Sequence, residues 1–419
     1  MRELSRRALL GWMGASALAA TGCSAAARSF TASVSASTTS PPATPSTIPP
    51  PDPAPVPTPD VRLIGDGSTA DTGPQPHQPV PRRLVPGERP PQFVVFSWDG
   101  AANLSTGLFP RFRTLARELG ASMTFFLSGV YALPADQRMQ YAPPRHPVGS
   151  SDIGFLSTQE VLDTMGEVRL AWLDGHEIGT HFNGHFCGES GVRLWSPEDW
   201  ASEIAQAKRF VQTWKTTTGR GDLSPLPFDY DVELIGGRTP CLEGQDGLLP
   251  TAAALGWKYD ASSPGGRQVW PGKKLGLWDF PLPSVPFPTS DPGVSASALA
   301  MDYNFMYRQT QGNVTGDPAM YATWRQQARD AYLAGFERAY ATNRAPFFVG
   351  NHFEQWNGGI YMDAVEDALR AIAGRPEVHL VSFRQLVAWL DAQDPAVLDR
   401  LQTLPVGTPP ATGWESFLA

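Results

Sequence analysis

Phe93-Val94-Val95-Phe96-Ser97-Trp98-Asp99-Gly100 is an unbroken apolar run that stops at an acid and a glycine. A strand covered on both faces reads this way, because helices packed on either side of a parallel sheet leave no face that needs polar residues. The pattern continues downstream. A helix is expected at about 108 to 119, and a second buried strand at Met123-Thr124-Phe125-Phe126-Leu127. Ser157-Thr158-Gln159-Glu160 has the form of a capping box, and Ser196-Pro197-Glu198-Asp199 opens another helix with a cap residue, a first-position proline and acid in the first turn. Trp200, Ile204, Val211 and Trp214 then share a face. Further strands are expected at 176 to 179, 234 to 237, 257 to 259, 347 to 350 and 378 to 381. The longest helix, about 320 to 342, carries Trp324, Ala328, Tyr332, Phe336 and Tyr340 on one face. Repeated strand-helix units imply an α/β fold, with a parallel sheet closed or nearly closed into a (β/α) barrel.

Upstream the texture is different. Residues 24 to 91 are rich in Pro, Ser, Thr and Ala, and their apolar groups are too few to offset the entropy of ordering. A disordered tether is expected, stiffened by polyproline II stretches such as Pro49-Pro50-Pro51 and reaching on the order of 100 Å. Before it, Met1 to Cys23 reads as a signal peptide with Arg2, Arg6 and Arg7 ahead of an apolar run. Ser5-Arg6-Arg7-Ala8-Leu9-Leu10 resembles a twin-arginine export motif, and Ala20-Thr21-Gly22-Cys23 a lipobox whose Cys23 is lipidated. An ordinary secretory signal cut elsewhere, or an uncleaved anchor, is the alternative. The chain is therefore expected to be exported and lipid-anchored on the outer face of the cytoplasmic membrane, or otherwise held in the cell envelope. A folded domain is expected over 92 to 395, a tail over 396 to 419, and a monomer overall. The net charge of −8 supplies no basic footprint, which argues against a nucleic-acid partner.

In parallel α/β folds the site forms at the C-terminal ends of the strands. The residues just past the expected strands are Asp99, His181, His185, Arg238, Asp260 and His352. One carboxylate and two imidazoles form a common set for a catalytic zinc with an open position for water, which the metal makes acidic enough to attack a carbonyl. Four of the seven histidines, His176, His181, His185 and His352, fall at or beside strand ends.

These residues resemble the motifs of the polysaccharide deacetylase (NodB-homology, carbohydrate esterase 4-like) family, in order, across about 93 to 390. Phe96-Ser97-Trp98-Asp99-Gly100 looks like the family's TFDDG motif, and Gly175-His176-Glu177-Ile178-Gly179-Thr180-His181 through His185 like its paired metal histidines. Arg238-Thr239-Pro240 looks like the third motif, and residues 255 to 262 match the family segment just downstream of it. Leu277-Trp278-Asp279-Phe280-Pro281 lies near the fourth, and Asn351-His352-Phe353 looks like the fifth. The resemblance implies a distorted (β/α) barrel and a metal-dependent hydrolase that removes acetyl groups from amino sugars of a peptidoglycan- or chitin-like envelope polysaccharide. It implies that Asp99, His181 and His185 hold a divalent metal, zinc by preference, that Arg238 orders the site, and that His352 is the general acid.

One departure concerns the base. The family's first motif has two adjacent aspartates, the first a general base, and Trp98 stands there. Tryptophan accepts no proton, and general-base help is typically worth about 10²–10⁴ in rate. Asp302 is the first candidate to replace it and Glu354 the second. Trp98 and Phe182, with Trp278, are candidates for a sugar-stacking wall. A catalytically impaired glycan-binding lipoprotein on the same fold is the alternative function, and hydrolysis of a small non-sugar amide a third. Cys187 and Cys241 flank the expected cleft. In an exported chain a disulfide between them is favoured over buried free thiols or a thiolate ligand.

Overall fold

The computed structural model describes residues 61–288 and 296–419. The expected signal peptide, Cys23 and the tether up to residue 60 lie outside the described residues.

Eight strands carry the argument: β1 (Gln92–Asp99), β2 (Thr124–Leu127), β3 (Glu177–Thr180), β4 (Gly236–Gly237), β5 (Tyr259–Asp260), β6 (Leu277–Asp279), β7 (Phe347–His352) and β8 (Val378–Leu380). They lie in one nine-stranded sheet of spatial order β7-β1-β2-β3-β4-β5-β6, with β8 also paired to β1. A ninth, Lys273–Lys274, pairs antiparallel with β6 at the edge, and every other pairing is parallel. The sheet is thus a distorted (β/α) barrel left open between β7 and that edge. Helices α1 (Leu108–Glu118), α2 (Thr158–Leu173), α3 (Pro197–Gln212), α4 (Gln245–Ala254), α5 (Asp302–Thr310), α6 (Tyr321–Tyr340), α7 (Trp356–Ala373) and α8 (Phe383–Ala392) connect the strands or come after them. None of the described helices is long and apolar enough to cross a membrane.

Local chemistry explains the boundaries. Ser157 and Ser196 each cap a helix reciprocally with the acid at its third position; the sequence led us to expect the box at Ser157 and the cap residue alone at Ser196. β4 is shorter than expected, because residues 230–233 form a helical turn and only Gly236 and Gly237 are in ladder register. Both must be glycine: a Cβ on Gly236 would sit 2.4 Å from the Tyr259 ring, and one on Gly237 2.6 Å from the Thr180 carbonyl oxygen.

Alternation along β1 sorts the core into two layers. Val94, Phe96 and Trp98 pack into the cluster shared with α1, α2 and α7, whereas Phe93 and Val95 join Phe126, Tyr259, Phe280, Phe348 and Phe383 in a second cluster. The second cluster fills the inner face of the curled sheet. Ser97 and Asp99 share its parity, and thus stand over that aromatic floor at the C-terminal rim.

Two expected boundaries are corrected. Residues 61–91 do not belong to the tether: Arg62–Ile64 and Thr69–Asp71 form a hairpin, Ser68 and Ala70 are buried, and Trp214 Nε1 donates to Ser68 O at 2.9 Å. Nor is 396–419 a loose tail. It forms helices at Pro395–Gln402 and Gly413–Phe417 and buries Leu401, Leu404 and Leu418 against the domain.

Candidate active site

Because the strands run parallel, their C-terminal ends share one rim, and the register places His352 directly beside Asp99. Asp99 is buried and its Oδ1 accepts from Arg238 Nη1 at 2.8 Å. The same Nη1 reaches Ser97 Oγ at 2.8 Å, Arg238 Nε donates to Ala261 O at 2.9 Å, and the guanidinium lies 4.9 Å over the Phe126 ring. Burial by itself would raise the Asp99 carboxyl, but the charges of Arg238, His181 and His352 outweigh it and hold the group below the usual carboxylate range. Asp99 is therefore ionised. Arg238 Nη2 is buried with no hydrogen-bond partner, an unused donor next to an anion.

His181 sits just past β3. Its Nδ1 donates to Arg238 O at 2.8 Å, which leaves the unprotonated Nε2 buried without a partner. A donor nitrogen oriented this way by a backbone carbonyl is the usual state of a metal-ligating histidine. His185 lies on the same loop, its ring centred 5.0 Å from that of His181. Burial, then the neighbouring His181 and His352, lower it to about 3. It is neutral at any ordinary pH. The loop between them turns through left-handed Phe182 and His185, at φ 59° and 55°. It is tied from behind by Glu203 of α3, which accepts from Tyr141 Oη at 2.9 Å and Asn183 N at 3.1 Å, while Tyr141 Oη accepts from Gly184 N at 3.0 Å. Nothing in the sequence pattern marked Glu203 or Tyr141 for this, since the contact joins residues 62 positions apart.

His352 and Asp302 form a pair. Asp302 is fully buried at the start of α5; its Oδ1 meets His352 Nδ1 at 2.8 Å and Tyr303 N at 2.7 Å, and its Oδ2 meets His352 N at 2.8 Å. Burial opposes a charge on His352. Asp302, then Asp99 and Glu354, overcome that and lift the imidazole to about 9. Burial likewise raises Glu354, against the pull of His352.

Several expectations change here. Asp302 does not stand free to take a proton from water, because both its oxygens are committed to His352; it is a positioning residue for that imidazole. Trp98 faces the helix layer: it is fully buried, stacked 4.6 Å from Phe353, with Nε1 at 3.2 Å from Met123 Sδ. A side chain there neither lines the site nor replaces anything in it. Phe182 is also fully buried, against Trp200 and Trp257. Trp278 is buried at the sheet's far edge, with Nε1 donating to Asp391 Oδ1 at 2.9 Å. The sugar-stacking wall is thus not present at these positions. His176 lies just before β3, at the opposite end of the sheet, where its Nδ1 accepts from Met123 N at 3.1 Å. Asp260 is turned inward on Ser262, and burial raises it to about 6.

Whether Asp99, His181 and His185 suit a metal is answered in part by their chemistry: one ionised carboxylate, one neutral imidazole and one partnerless imidazole nitrogen. Their ligand atoms are not gathered as closely as those of a second trio that shares His185. Among the described residues, the trio with ligand atoms all within 4.8 Å of one another is His185, Cys187 and Cys241. Cys187 and Cys241 are joined in a disulfide with Cα atoms 6.1 Å apart, which ties the His185 loop to the Arg238 loop. In that state neither sulfur is a thiolate ligand.

No family model matches the sequence, and no curated protein does. Solved structures that match include polysaccharide deacetylases and family 4 carbohydrate esterases. A putative polysaccharide deacetylase from Mycobacterium smegmatis is 14% identical over 74% of this chain and 95% of its own, with a TM-score of 0.44. A chitin deacetylase from Colletotrichum lindemuthianum is 11% identical over 75% and 95%, with a TM-score of 0.36. A CE4 family pseudoenzyme from Bacillus anthracis is 9% identical over 73% and 69%, with a TM-score of 0.37. These are distant likenesses.

Proposed function

We propose that the chain is a metal-dependent hydrolase that removes acetyl groups from amino sugars of a cell-envelope polysaccharide, with Asp99, His181 and His185 holding a divalent cation, zinc by preference. The observation that carries this reading is the pairing across β1 and β7 of an ionised Asp99, held by Arg238, with a His352 kept protonated by buried Asp302. The cation would supply a Lewis acid for the acetyl carbonyl and a water acidic enough to attack it. The chain supplies the proton traffic. His352, cationic at neutral pH, stands ready to protonate the departing amine, and Asp302 fixes which ring nitrogen faces the substrate. Arg238 keeps Asp99 ionised and, through its carbonyl, keeps His181 Nε2 free of a proton. Glu354, raised by burial and close enough for its charge to act on His352 and Tyr131, is the carboxylate we assign as base. Placement in the envelope through a lipid on Cys23 is part of the proposal and is supported by Ala20-Thr21-Gly22-Cys23.

A glycan-binding protein without turnover is the second reading. It is favoured by a rim that offers one carboxylate from β1, with Trp98 turned away from it. Initial rates of acetate release by the metal-loaded chain, wild type against His352→Ala, distinguish the two. The proposal expects kcat to fall by about 10²–10⁴ with metal content unchanged; no acetate from wild type supports binding alone, and equal rates remove His352 from the chemistry.

A further inference from the structure

The disulfide and its nearest histidine have a use that the deacetylase reading leaves open. His185 Nδ1 lies 3.6 Å from Cys187 Sγ, and the ligand atoms of His185, Cys187 and Cys241 are all within 4.8 Å of one another. Two ligands on a tetrahedral zinc, sulfur at ~2.3 Å and nitrogen at ~2.0–2.1 Å, sit about 3.6 Å apart by simple trigonometry. The nitrogen and the first sulfur already have that spacing. We propose that reduction of the Cys187–Cys241 disulfide unmasks a nitrogen-and-two-sulfur site, formed by His185, Cys187 and Cys241, for a divalent cation that accepts thiolate ligands, such as Zn(II).

The loops that carry these residues do not depend on the disulfide for their place. Gly184 O accepts from Asp152 N at 2.8 Å and Phe186 O from Val192 N at 3.1 Å, so the segment around His185 and Cys187 is held from both sides. On the other loop, Arg238 N donates to Thr180 O at 3.0 Å and Thr239 N to Ser262 Oγ at 2.9 Å. The two sulfurs need only move apart from bonding distance to ligand spacing. Cys241 is exposed and Cys187 half-buried, so a reductant and a cation can reach them.

The chemistry balances with a dithiol as reductant. Its two electrons break the sulfur–sulfur bond, its own sulfurs close into a cyclic disulfide, and its two protons pass to Cys187 and Cys241. The entering cation then displaces both protons as two thiolates bind it. His185 cannot serve this cation and the one beside Asp99 through the same nitrogen. If the deacetylase reading holds, filling the reduced site competes with the catalytic one, and the disulfide keeps His185 available for catalysis.

Cobalt(II) is the probe. The full chain is reduced with dithiothreitol, desalted without oxygen and titrated with Co(II), beside the oxidised chain and reduced Cys187→Ser, Cys241→Ser and His181→Ala. The expected result is a near-ultraviolet sulfur-to-cobalt charge-transfer band in the reduced wild type and not in the oxidised chain or either serine variant. His181→Ala should keep the band, because that residue belongs to the other site. Reduced wild type with Cys187 and Cys241 both open to alkylation but no charge-transfer band overturns the proposal, and so does a band that disappears with His181. Acetate release plays no part in these readouts, so a failure of the deacetylase reading leaves this test intact.

Discussion

Trp98 shows how far a residue's identity falls short of its orientation. Read along the motif, it occupies the place of a missing base; in the strand it points the other way, into Phe112 and Phe353. Parity along β1 puts Val95, Ser97 and Asp99 on the inner face, so a carboxylate at 98 would be buried among rings with no partner. An unpaired buried charge costs several kcal/mol unless it takes a proton, and removing a large core aromatic adds about 3–5 kcal/mol. Trp98→Asp should therefore melt at much lower denaturant concentration than wild type and show no gain in acetate release. A stable Trp98→Asp protein with raised kcat would show that this side chain reaches the site after all. Asp302 was legible as a candidate from its position in sequence, but its role was not. The sequence carries no sign that both its oxygens face a histidine 50 residues later.

At the scale of elements, strand-helix alternation and the capping boxes were readable because they depend on neighbours within a few residues. Which end of a strand a histidine occupies was readable only where the strand's limits were. His176 was grouped with the site histidines, yet it precedes β3 and lies in the core. Burial, then Arg113, lower it to about 4, and Asp174 opposes this. The folded protein keeps His176 neutral while the unfolded chain, near 6.5, takes up a proton. Stability from this group is complete above pH 6.5 and is lost as pH falls toward 4. A shift of this size corresponds to about 3 kcal/mol. Urea melts at pH 7 and pH 4 should show wild type losing about that much more than His176→Asn, which retains an acceptor for Met123 N. Equal losses would mean that His176 is solvated or already charged in the folded state. The raised carboxyls of Glu203 and Glu233 titrate alike in both proteins and drop out of the comparison.

For the molecule as a whole, the barrel and the rim were legible and the boundaries were not. Composition marked 24–91 as one proline-rich stretch, but residues 61–91 pack on the domain through contacts that no local pattern shows. Thr72 Oγ1 reaches Pro227 O across 155 residues, and Gln393 Nε2 reaches Arg82 O across 311. The C-terminal helices are bound in the same way, with Asn343 Nδ2 donating to Pro405 O at 3.1 Å. The candidate site divides likewise. Asp99, His181, Arg238 and His352 could be named because each comes at the end of a readable strand, whereas Ser97, Glu203 and Tyr141 support them through side chains brought together only by folding. What the assembled rim is for rests on one claim, that a cation held at Asp99, His181 and His185 works with His352 on an acetylated amino sugar. The most direct measurement is acetate released from an N-acetylated amino-sugar oligomer by the zinc-loaded chain, wild type beside His181→Ala. Release by wild type that falls by at least about 10² in the variant, as expected when the metal site is lost, is the predicted result; release at the same rate from both proteins would contradict it.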